Sequence, residues 1–337
     1  MTRYLYSSVT RISALAGQRF EMQPLARSEW ASGDYVVGEV RDASGLHSIE
    51  LPNGRMMEAM EGDLVVGAFG ARAATLEAVG NWQSIDGEIF DGLTPAGLFG
   101  KLTSSSPFLP KLMTLRYRGH VQRAGVKQTM DDARPAPPAM EFAAPMVLIT
   151  GTSMSSGKTM SGRTIIHLLS QAGLKVVGAK LTGAARYRDV LSYEDAGADR
   201  VFDFVDVGLP STVVDPGVFA QRCADLLSLI AAAEPDVVVA EAGASPLEPY
   251  NGDTAIELLG DRVRFNLLCA SDPYAVMGVA SAFQRQPDLV AGGAANTTAG
   301  IALVRELTGL AAMNLLHKDN HAALTALLLD RLGLRGA

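Results

Sequence analysis

The sequence is poor in the residues from which disulfide frameworks and zinc sites are built. Its 337 residues include two cysteines, Cys223 and Cys269, and five histidines that are scattered along the chain. The cysteines lie far apart in apolar segments, which is typical of reduced core thiols and not of a disulfide-stapled secreted fold. The histidines and cysteines show no spacing typical of metal ligands. We therefore expect a cytoplasmic protein with free thiols and no cysteine- or histidine-based metal cluster.

Long apolar runs and an excess of basic residues are also lacking. No stretch reaches the roughly 18 consecutive apolar residues that a membrane helix needs. The first eight residues lack the continuous apolar segment of a signal peptide. The formal net charge is −7, so no overall basic field favours nucleic acid. Since 48% of the residues are hydrophobic, the chain can bury ordinary cores. We expect a folded protein that acts on a small molecule, with neither a membrane nor nucleic acid as partner.

The sequence changes character near residue 140. Before it, short apolar segments alternate with turn signals, and Asn53-Gly54 between two such segments indicates a hairpin. This spacing favours a small antiparallel barrel or sandwich at about residues 20–125. Three prolines within four residues then favour an extended, semi-rigid connection in which helix is unlikely. We predict a β-rich domain of unknown role at residues 1–130, a proline-rich linker at 131–144 and a second domain at 145–337.

In the second domain, continuous apolar runs alternate with segments of helical periodicity. This alternation indicates an α/β fold, in which a mainly parallel sheet is covered by helices on both faces. The predicted strands are residues 146–150, 174–180, 201–205, 236–240, 263–270 and 288–291, and the predicted helices are residues 159–172, 216–233, 273–283, 298–308 and 322–332.

The most specific motif joins the first strand and first helix of this domain. It reads Gly151-Thr152-Ser153-Met154-Ser155-Ser156-Gly157-Lys158-Thr159. Glycines allow the backbone to wrap around phosphate oxygens, and a helix N-terminus adds N–H donors and partial positive charge. Lys158 would contact the β and γ phosphates, and the Thr159 hydroxyl would ligate Mg²⁺. We predict that these nine residues form a P-loop for ATP or another nucleoside triphosphate with Mg²⁺. A serine-rich turn that carries a lysine is the alternative.

Further polar residues follow the other predicted strands. Glu241 ends an apolar strand, where open α/β sheets place their ligand crevice, and could hold Mg²⁺ directly or through water. A polar loop at residues 183–189 is the best candidate for binding an anionic substrate, through Arg186 and Arg188, with Asp189 or Glu194 as a second Mg²⁺ ligand. The alternatives are a capping or surface glutamate and an ordinary solvated loop.

A shaped loop follows Glu241. Residues 245–253 contain two prolines and an Asn-Gly pair, which favour turns. We interpret this loop as a substrate-side wall that includes Ser245 and Tyr250. Asp272 follows a later strand and directly precedes Pro273, so we expect it to cap a helix instead of serving the site.

The loop has five residues between its glycines where the standard motif has four. In this it resembles the dethiobiotin synthetase-like group of P-loop proteins, whose loop reads Gly-Thr, four residues, then Gly-Lys-Thr. Lys180-Leu181-Thr182-Gly183 is similar to the group's Lys-Pro-x-x-x-Gly element, although it is shorter and lacks the proline. Residues 237–244 resemble the group's strand ending in Glu-Gly-Ala-Gly. Met154 departs from the group, which often has a polar residue there. The resemblance covers roughly residues 146–316.

The resemblance implies roles for several residues and an assembly. It implies that Lys180 stabilises charge on the transferred phosphoryl group, as cations do in phosphoryl transfer. Lys158, Lys180 and Glu241 are therefore the candidate catalytic residues, although Lys180 could also be a solvated strand-end lysine. Asn296 resembles the position where an asparagine contacts the nucleotide base. A homodimer is implied as well.

Three functions remain open from the sequence. The resemblance implies that the γ-phosphoryl group of ATP activates a carboxylate or carbamate for amide or urea formation, and a simple kinase reaction is equally compatible. A nucleotide-driven switch or cofactor-maturation accessory NTPase is less favoured, because Thr152 and Ser153 stand where such switches often carry a second lysine. An N-acyltransferase is the third, in which the loop binds the diphosphate of an acyl-coenzyme A. The first 140 residues are extra relative to an ordinary dethiobiotin synthetase.

Overall fold

The computed structural model describes residues 3–243, 245–283 and 286–334, so Ala244 of the Glu241 element lies outside the described residues. The chain divides into two compact units. The first comprises Met1–Ala136, Ala184–Arg188 and Phe204–Asp215, and the second comprises the remaining residues from Pro137 onward. The sequence predicted a single domain boundary at residues 131–144. It did not predict that Ala184–Arg188 and Phe204–Asp215, which follow that boundary, belong to the first unit. The bridge between Ala184 and Ser211 pairs these two segments with each other, and the Arg11 guanidinium donates to Asp206 of the second segment at 2.9 Å.

The first unit is β-rich, as predicted. A closed ring forms from five strands, because β6, β3, β11, β9 and β10 pair in that order and β10 then pairs with β6. The first four pairings are antiparallel and the closing one is parallel. The strands are β1 (Tyr4–Tyr6), β2 (Glu21–Gln23), β3 (Tyr35–Asp42), β4 (Ser48–Glu50), β5 (Met56–Glu58), β6 (Leu64–Phe69), β7 (Ala71–Ala73), β8 (Ala78–Asn81), β9 (Ile89–Gly92), β10 (Leu98–Ser105), β11 (Thr114–Arg123) and β12 (Val126–Lys127).

Aromatic side chains fill the ring. Phe90 packs against Phe69 and Phe99 with ring centroids 5.9 and 5.2 Å apart. Gly67 permits the closing contact, because a Cβ atom there would collide with the carbonyl oxygen of Gly97. The predicted hairpin forms β4 and β5 around Asn53-Gly54. The predicted linker, however, starts with one turn of helix, α1 (Met130–Ala133), since the Thr129 side chain accepts a hydrogen bond from the Asp132 amide and caps it.

The second unit has the predicted α/β fold. Its strands are β13 (Met146–Gly151), β14 (Val176–Thr182), β15 (Arg200–Asp203), β16 (Val237–Ala242), β17 (Val263–Cys269) and β18 (Leu289–Ala291). Its helices are α2 (Lys158–Gln171), α3 (Tyr187–Glu194), α4 (Pro216–Ala231), α5 (Gly252–Leu259), α6 (Pro273–Phe283), α7 (Thr298–Thr308) and α8 (His321–Leu332). Helix α3 begins in the first unit and continues into the second. The polar segment at residues 183–189, predicted to be a loop, therefore runs into a helix.

The six strands form one parallel sheet in the order β15-β14-β16-β13-β17-β18. Strands β14 and β15 lie on one side of β13, and β17 and β18 lie on the other. The strand order thus reverses at β13, and ligand crevices in open α/β sheets lie at such a point, outside the carboxyl ends of the strands. On α2, Ile165, Ile166 and Leu169 are fully buried against the sheet, and each such side chain contributes about 1.5–3 kcal/mol.

The two cysteines are free and buried, as predicted. Burial raises the pKa of each thiol to about 12. Within the described part of the chain, the helices are too short or too polar to span a lipid bilayer.

Candidate nucleotide site

Glycines shape the loop between β13 and α2. A Cβ atom at Gly151 would lie 2.8 Å from Cδ and 2.9 Å from Nζ of Lys158, so the lysine side chain crosses directly over this glycine. Gly157 has φ of 97°, a left-handed conformation that starts α2. Gly292, after β18, backs the loop, since a Cβ atom there would collide with the carbonyl oxygen of Ser156. The backbone therefore turns tightly at both ends and is supported from behind.

Lys158 is buried beneath this loop. Only 3% of it is exposed, and its Nζ donates a hydrogen bond of 2.7 Å to the carbonyl oxygen of Ser153. The Ser156 hydroxyl donates to the same oxygen at 2.9 Å. Burial lowers the pKa of Lys158, and the charge of Glu241 partly opposes this. The loop thus holds a buried amine whose hydrogen-bond partner is a neutral backbone oxygen.

Thr159 and Glu241 meet at the carboxyl end of the sheet. Glu241 lies on β16, opposite Ile149 of β13, and is 4% exposed. The Thr159 hydroxyl donates to Oε2 of Glu241 at 3.0 Å. The hydroxyl of Tyr193, on α3, donates to the same oxygen at 2.9 Å. Glu241 is therefore a buried carboxylate beside the start of α2, and not a surface glutamate.

Lys180 lies on the neighbouring strand. It is opposite Glu241 in the pairing of β14 with β16, and its Nζ donates to Oδ2 of Asp189 at 2.5 Å. Burial would lower the pKa of Lys180, but the charges of Asp189 and Glu241 outweigh it and the pKa is raised. Lys180 is consequently a buried ammonium group. Asp189, predicted as a second Mg²⁺ ligand, is paired with this lysine.

The oxygen atoms at this edge fit Mg²⁺. In residues 3–243, 245–283 and 286–334, no group of three or more His, Cys, Asp or Glu side chains could form a protein-only metal site. Mg²⁺, however, is usually held by one or two protein oxygens together with phosphates and water. The adjacent Thr159 hydroxyl and Glu241 carboxylate supply such a pair of hard oxygen ligands.

A cavity of about 200 Å³ opens beside the loop. Ser156, Gly157, Met160, Asn296 and Asn314 are among the residues that line it. The Asn314 side-chain amide donates to the backbone oxygen of Asn296 at 3.1 Å and so ties two of its walls together. Asn296, predicted to contact the base, therefore borders a space next to the loop between β13 and α2.

The remaining loop residues have varied surroundings. Thr152 is tied to the next strand end, because its hydroxyl accepts a hydrogen bond from the Ser271 amide. Ser153 supplies the carbonyl that binds Lys158, and Ser155 lines the cavity. Met154 is 37% exposed.

The predicted substrate residues belong to different units. Arg186 and Arg188 belong to the first unit, where the Arg188 amide donates to Glu50. The Ser245 amide donates to Glu248 at 2.6 Å. Tyr250 is 2% exposed, so its ring supports the loop from inside and does not form an accessible wall.

Three residues near the site were not singled out from the sequence. Tyr193 binds Glu241, Glu248 is buried and raises the pKa of Lys158 against the effect of burial, and Gly292 backs the loop. Glycine-glycine after β18 was the only local signal for Gly292. Tyr193 had no local signal, because its partner Glu241 is distant in sequence.

No protein-family model matches the chain, and no curated protein matches it. Solved structures match about half of it. The signal recognition particle receptor FtsY from Elizabethkingia anophelis is 15% identical, with 53% of this chain and 60% of that one covered and a TM-score of 0.36. A LAO/AO transport system kinase is 16% identical over 57% of this chain and 60% of that one, with a TM-score of 0.38. The hydrogenase maturation factor HypB from Archaeoglobus fulgidus is 16% identical over 56% of this chain and 90% of its own length, with a TM-score of 0.38.

The chain spans about 60% of the length of FtsY and of the transport system kinase. At this level of similarity the matches say nothing about its activity. None of these three proteins is named as a member of the dethiobiotin synthetase-like group. The parallel sheet, its reversal at β13 and the glycine-bounded loop before α2 place the second unit among P-loop NTPase folds.

Proposed function

We propose that the second unit binds a nucleoside triphosphate with Mg²⁺ and transfers its γ-phosphoryl group to a small molecule. The observation that carries this proposal is the hydrogen bond between Thr159 and Glu241 beside the buried amine of Lys158. A threonine and a carboxylate that meet next to a lysine-bearing loop are what a Mg²⁺–triphosphate site requires.

Each protein group has a defined task. The loop amides and the N-terminus of α2 would hold phosphate oxygens. Lys158 would exchange the Ser153 carbonyl for a phosphate oxygen, because a hydrogen bond between two charged groups is stronger than one to a neutral carbonyl. Thr159 and Glu241 would hold Mg²⁺, which neutralises charge on the phosphates when bound. Lys180, whose raised pKa keeps it charged, would stabilise the transferred group.

The finer proposal concerns the acceptor. Following the resemblance of the loop, we infer a carboxylate or carbamate whose oxygen attacks the γ-phosphorus and releases the nucleoside diphosphate, which leaves a mixed phosphate anhydride. A nitrogen nucleophile would then displace phosphate to form an amide or urea. A hydroxyl acceptor, as in a simple kinase, would use the same groups. The homodimer and the role of Asn296 at the base belong to this proposal too.

Replacing Lys158 tests the proposal directly. In isothermal titration with Mg·ATP and, separately, Mg·GTP, Lys158→Ala should bind at least about 100-fold more weakly than the wild type, because it loses a buried charge-assisted contact. Lys175→Ala, which removes an exposed lysine of the same unit, is the matched control and should bind normally. Equal affinity of the wild type and Lys158→Ala would refute the site.

The reaction itself is tested with a pooled metabolite extract. Incubation with the triphosphate and Mg²⁺, followed by mass spectrometry, should show one compound that gains phosphate or loses water. Triphosphate hydrolysis with no modified metabolite would favour the nucleotide-driven switch. Consumption of an acyl-coenzyme A without loss of triphosphate would favour the acyltransferase.

A further inference from the structure

Two side chains of α3 hold the two charged residues at the sheet edge. Asp189 and Tyr193 are four residues apart, so they lie on the same face of the helix. Their partners, Lys180 and Glu241, stand opposite each other on adjacent strands. Asp189 contacts Lys180 at 2.5 Å and Tyr193 contacts Glu241 at 2.9 Å. Two side chains on one face of α3 therefore bind two residues that are neighbours on β14 and β16.

Tyr193 is built tightly into the second unit. It is 1% exposed and passes between two glycines of neighbouring elements. A Cβ atom at Gly162 would lie 2.6 Å from the Tyr193 hydroxyl, and a Cβ atom at Gly178 would lie 2.9 Å from the Cβ of Tyr193. The hydroxyl is consequently a fixed donor, and together with Thr159 it restricts the rotation of the Glu241 carboxylate.

The start of α3 is anchored within the first unit. Both carboxylate oxygens of Glu50 accept backbone N–H groups, from Tyr187 and Arg188, each at 2.8 Å. First-turn amides have no partner inside their own helix, and a carboxylate there is also favoured by the helix dipole. The Arg11 guanidinium lies over the Tyr187 ring, 4.4 Å from its centroid. Glu50 is 1% exposed, so this anchor is buried.

We infer that α3 is a positioning helix for the nucleotide site, in which Tyr193 orients Glu241 for Mg²⁺, Asp189 orients Lys180, and Glu50 fixes where the helix starts. Tyr193 and Asp189 act through their partners and touch neither the nucleotide nor the acceptor. This inference rests on the proposed function of the site.

Tyr193→Phe tests the inference, because it removes one hydroxyl and keeps the ring. The readout is the gain in ATP affinity that Mg²⁺ produces, measured by isothermal titration with and without the metal. We expect this gain to fall about 10-fold or more, which is typical when a group that orients a metal ligand is lost, while the metal-free affinity stays unchanged. Tyr35→Phe is the matched control, since it removes a buried tyrosine hydroxyl bound to the Val9 carbonyl in the first unit.

A merely structural role for Tyr193 would lower the melting temperature and leave the Mg²⁺-dependent gain intact, and that result would overturn the inference. Glu50→Gln should reduce the Mg²⁺-dependent gain in ATP affinity by a few-fold. An unchanged gain in this variant would refute the role of Glu50 in fixing the start of α3. Failure of the proposed function looks different, because the wild type itself would then bind no nucleotide, and the inference would fall with it.

Discussion

Two buried charges, one in each unit, have different kinds of partner. In the first, Asp34 is 1% exposed and its carboxylate binds His120 at 3.1 Å and Lys127 at 2.9 Å. The other ring nitrogen of His120 contacts the Tyr117 hydroxyl, which also accepts the Leu25 amide, so several protein groups share this network. In the second unit, the buried amine of Lys158 has a backbone carbonyl as its partner. Networks of mutually hydrogen-bonded groups hold a fold together, whereas a buried charge with a weak, exchangeable partner is suited to a ligand.

The sheet topologies explain where each kind of charge can lie. The first unit closes its main strands into a ring filled by aromatic side chains, which leaves its buried charges between strands and loops. The second unit has an open parallel sheet whose order reverses at β13, so the ends of β13, β14 and β16 meet at one edge. That edge carries Lys180 and Glu241 in register.

The largest expected effect tests whether the network around Asp34 stabilises the fold. Asp34→Ala should lower the free energy of unfolding by about 3 kcal/mol, because it leaves a buried histidine and a lysine without their partner. Chemical denaturation would measure this, and nucleotide affinity of the folded fraction should stay at the wild-type value. Asp131→Ala, which breaks an exposed ion pair with Arg134, should cost less than about 1 kcal/mol. A loss of nucleotide binding in the stable, folded Asp34→Ala protein would erase the distinction between the units.

The second-largest expected effect tests whether the buried position of Lys158 is needed for nucleotide binding. In Gly151→Ala the new methyl group would displace the Lys158 side chain, and misplacement of about 1 Å can cost on the order of 100-fold in function. We expect triphosphate affinity to fall by about that factor while the melting temperature changes little, since the displaced groups are side chains. Gly278→Ala is the control, because a Cβ atom there meets open space on α6. Unchanged affinity in Gly151→Ala would mean that Lys158 does not need its present position.

Local sequence signals predicted the second unit well. The helices at Pro273–Phe283 and Thr298–Thr308 have the predicted bounds, because Pro273 starts one and Gly309 ends the other. The strand and helix that flank the glycine-bounded loop, β13 and α2, were likewise predicted to within a residue or two. Phosphate loops can be read from sequence because strand, glycines, lysine and helix are contiguous.

What was missed depends on contacts between distant residues. The first amides of helix α3 bind Glu50, 137 and 138 positions away in sequence. The ring of the first unit closes through a parallel pairing of β10 with β6, which no turn signal marks. The partnership of Tyr193 with Glu241 spans 48 residues and depends on two glycines of other elements.

The smallest expected effect concerns a carboxylate after β17 that caps a helix. Oδ1 of Asp272 accepts the amides of Tyr274 and Ala275, each at 3.0 Å, as the sequence predicted for a cap of α6. Asp272→Ala should cost about 1 kcal/mol at neutral pH, whereas Asp319→Ala, an exposed carboxylate, should change stability by no more than about 0.5 kcal/mol.

The bond from the Ala275 amide lowers the pKa of Asp272, so the stabilisation is present above the unfolded-state pKa of about 4 and is lost as the pH falls further. The stability difference between Asp272→Ala and the wild type, measured by thermal melting, should therefore shrink below about pH 4. Nucleotide affinity should not change. If it dropped as it does for Gly151→Ala, Asp272 would belong with Lys158 and Glu241, and position at a strand end would predict function better than hydrogen-bond partners do.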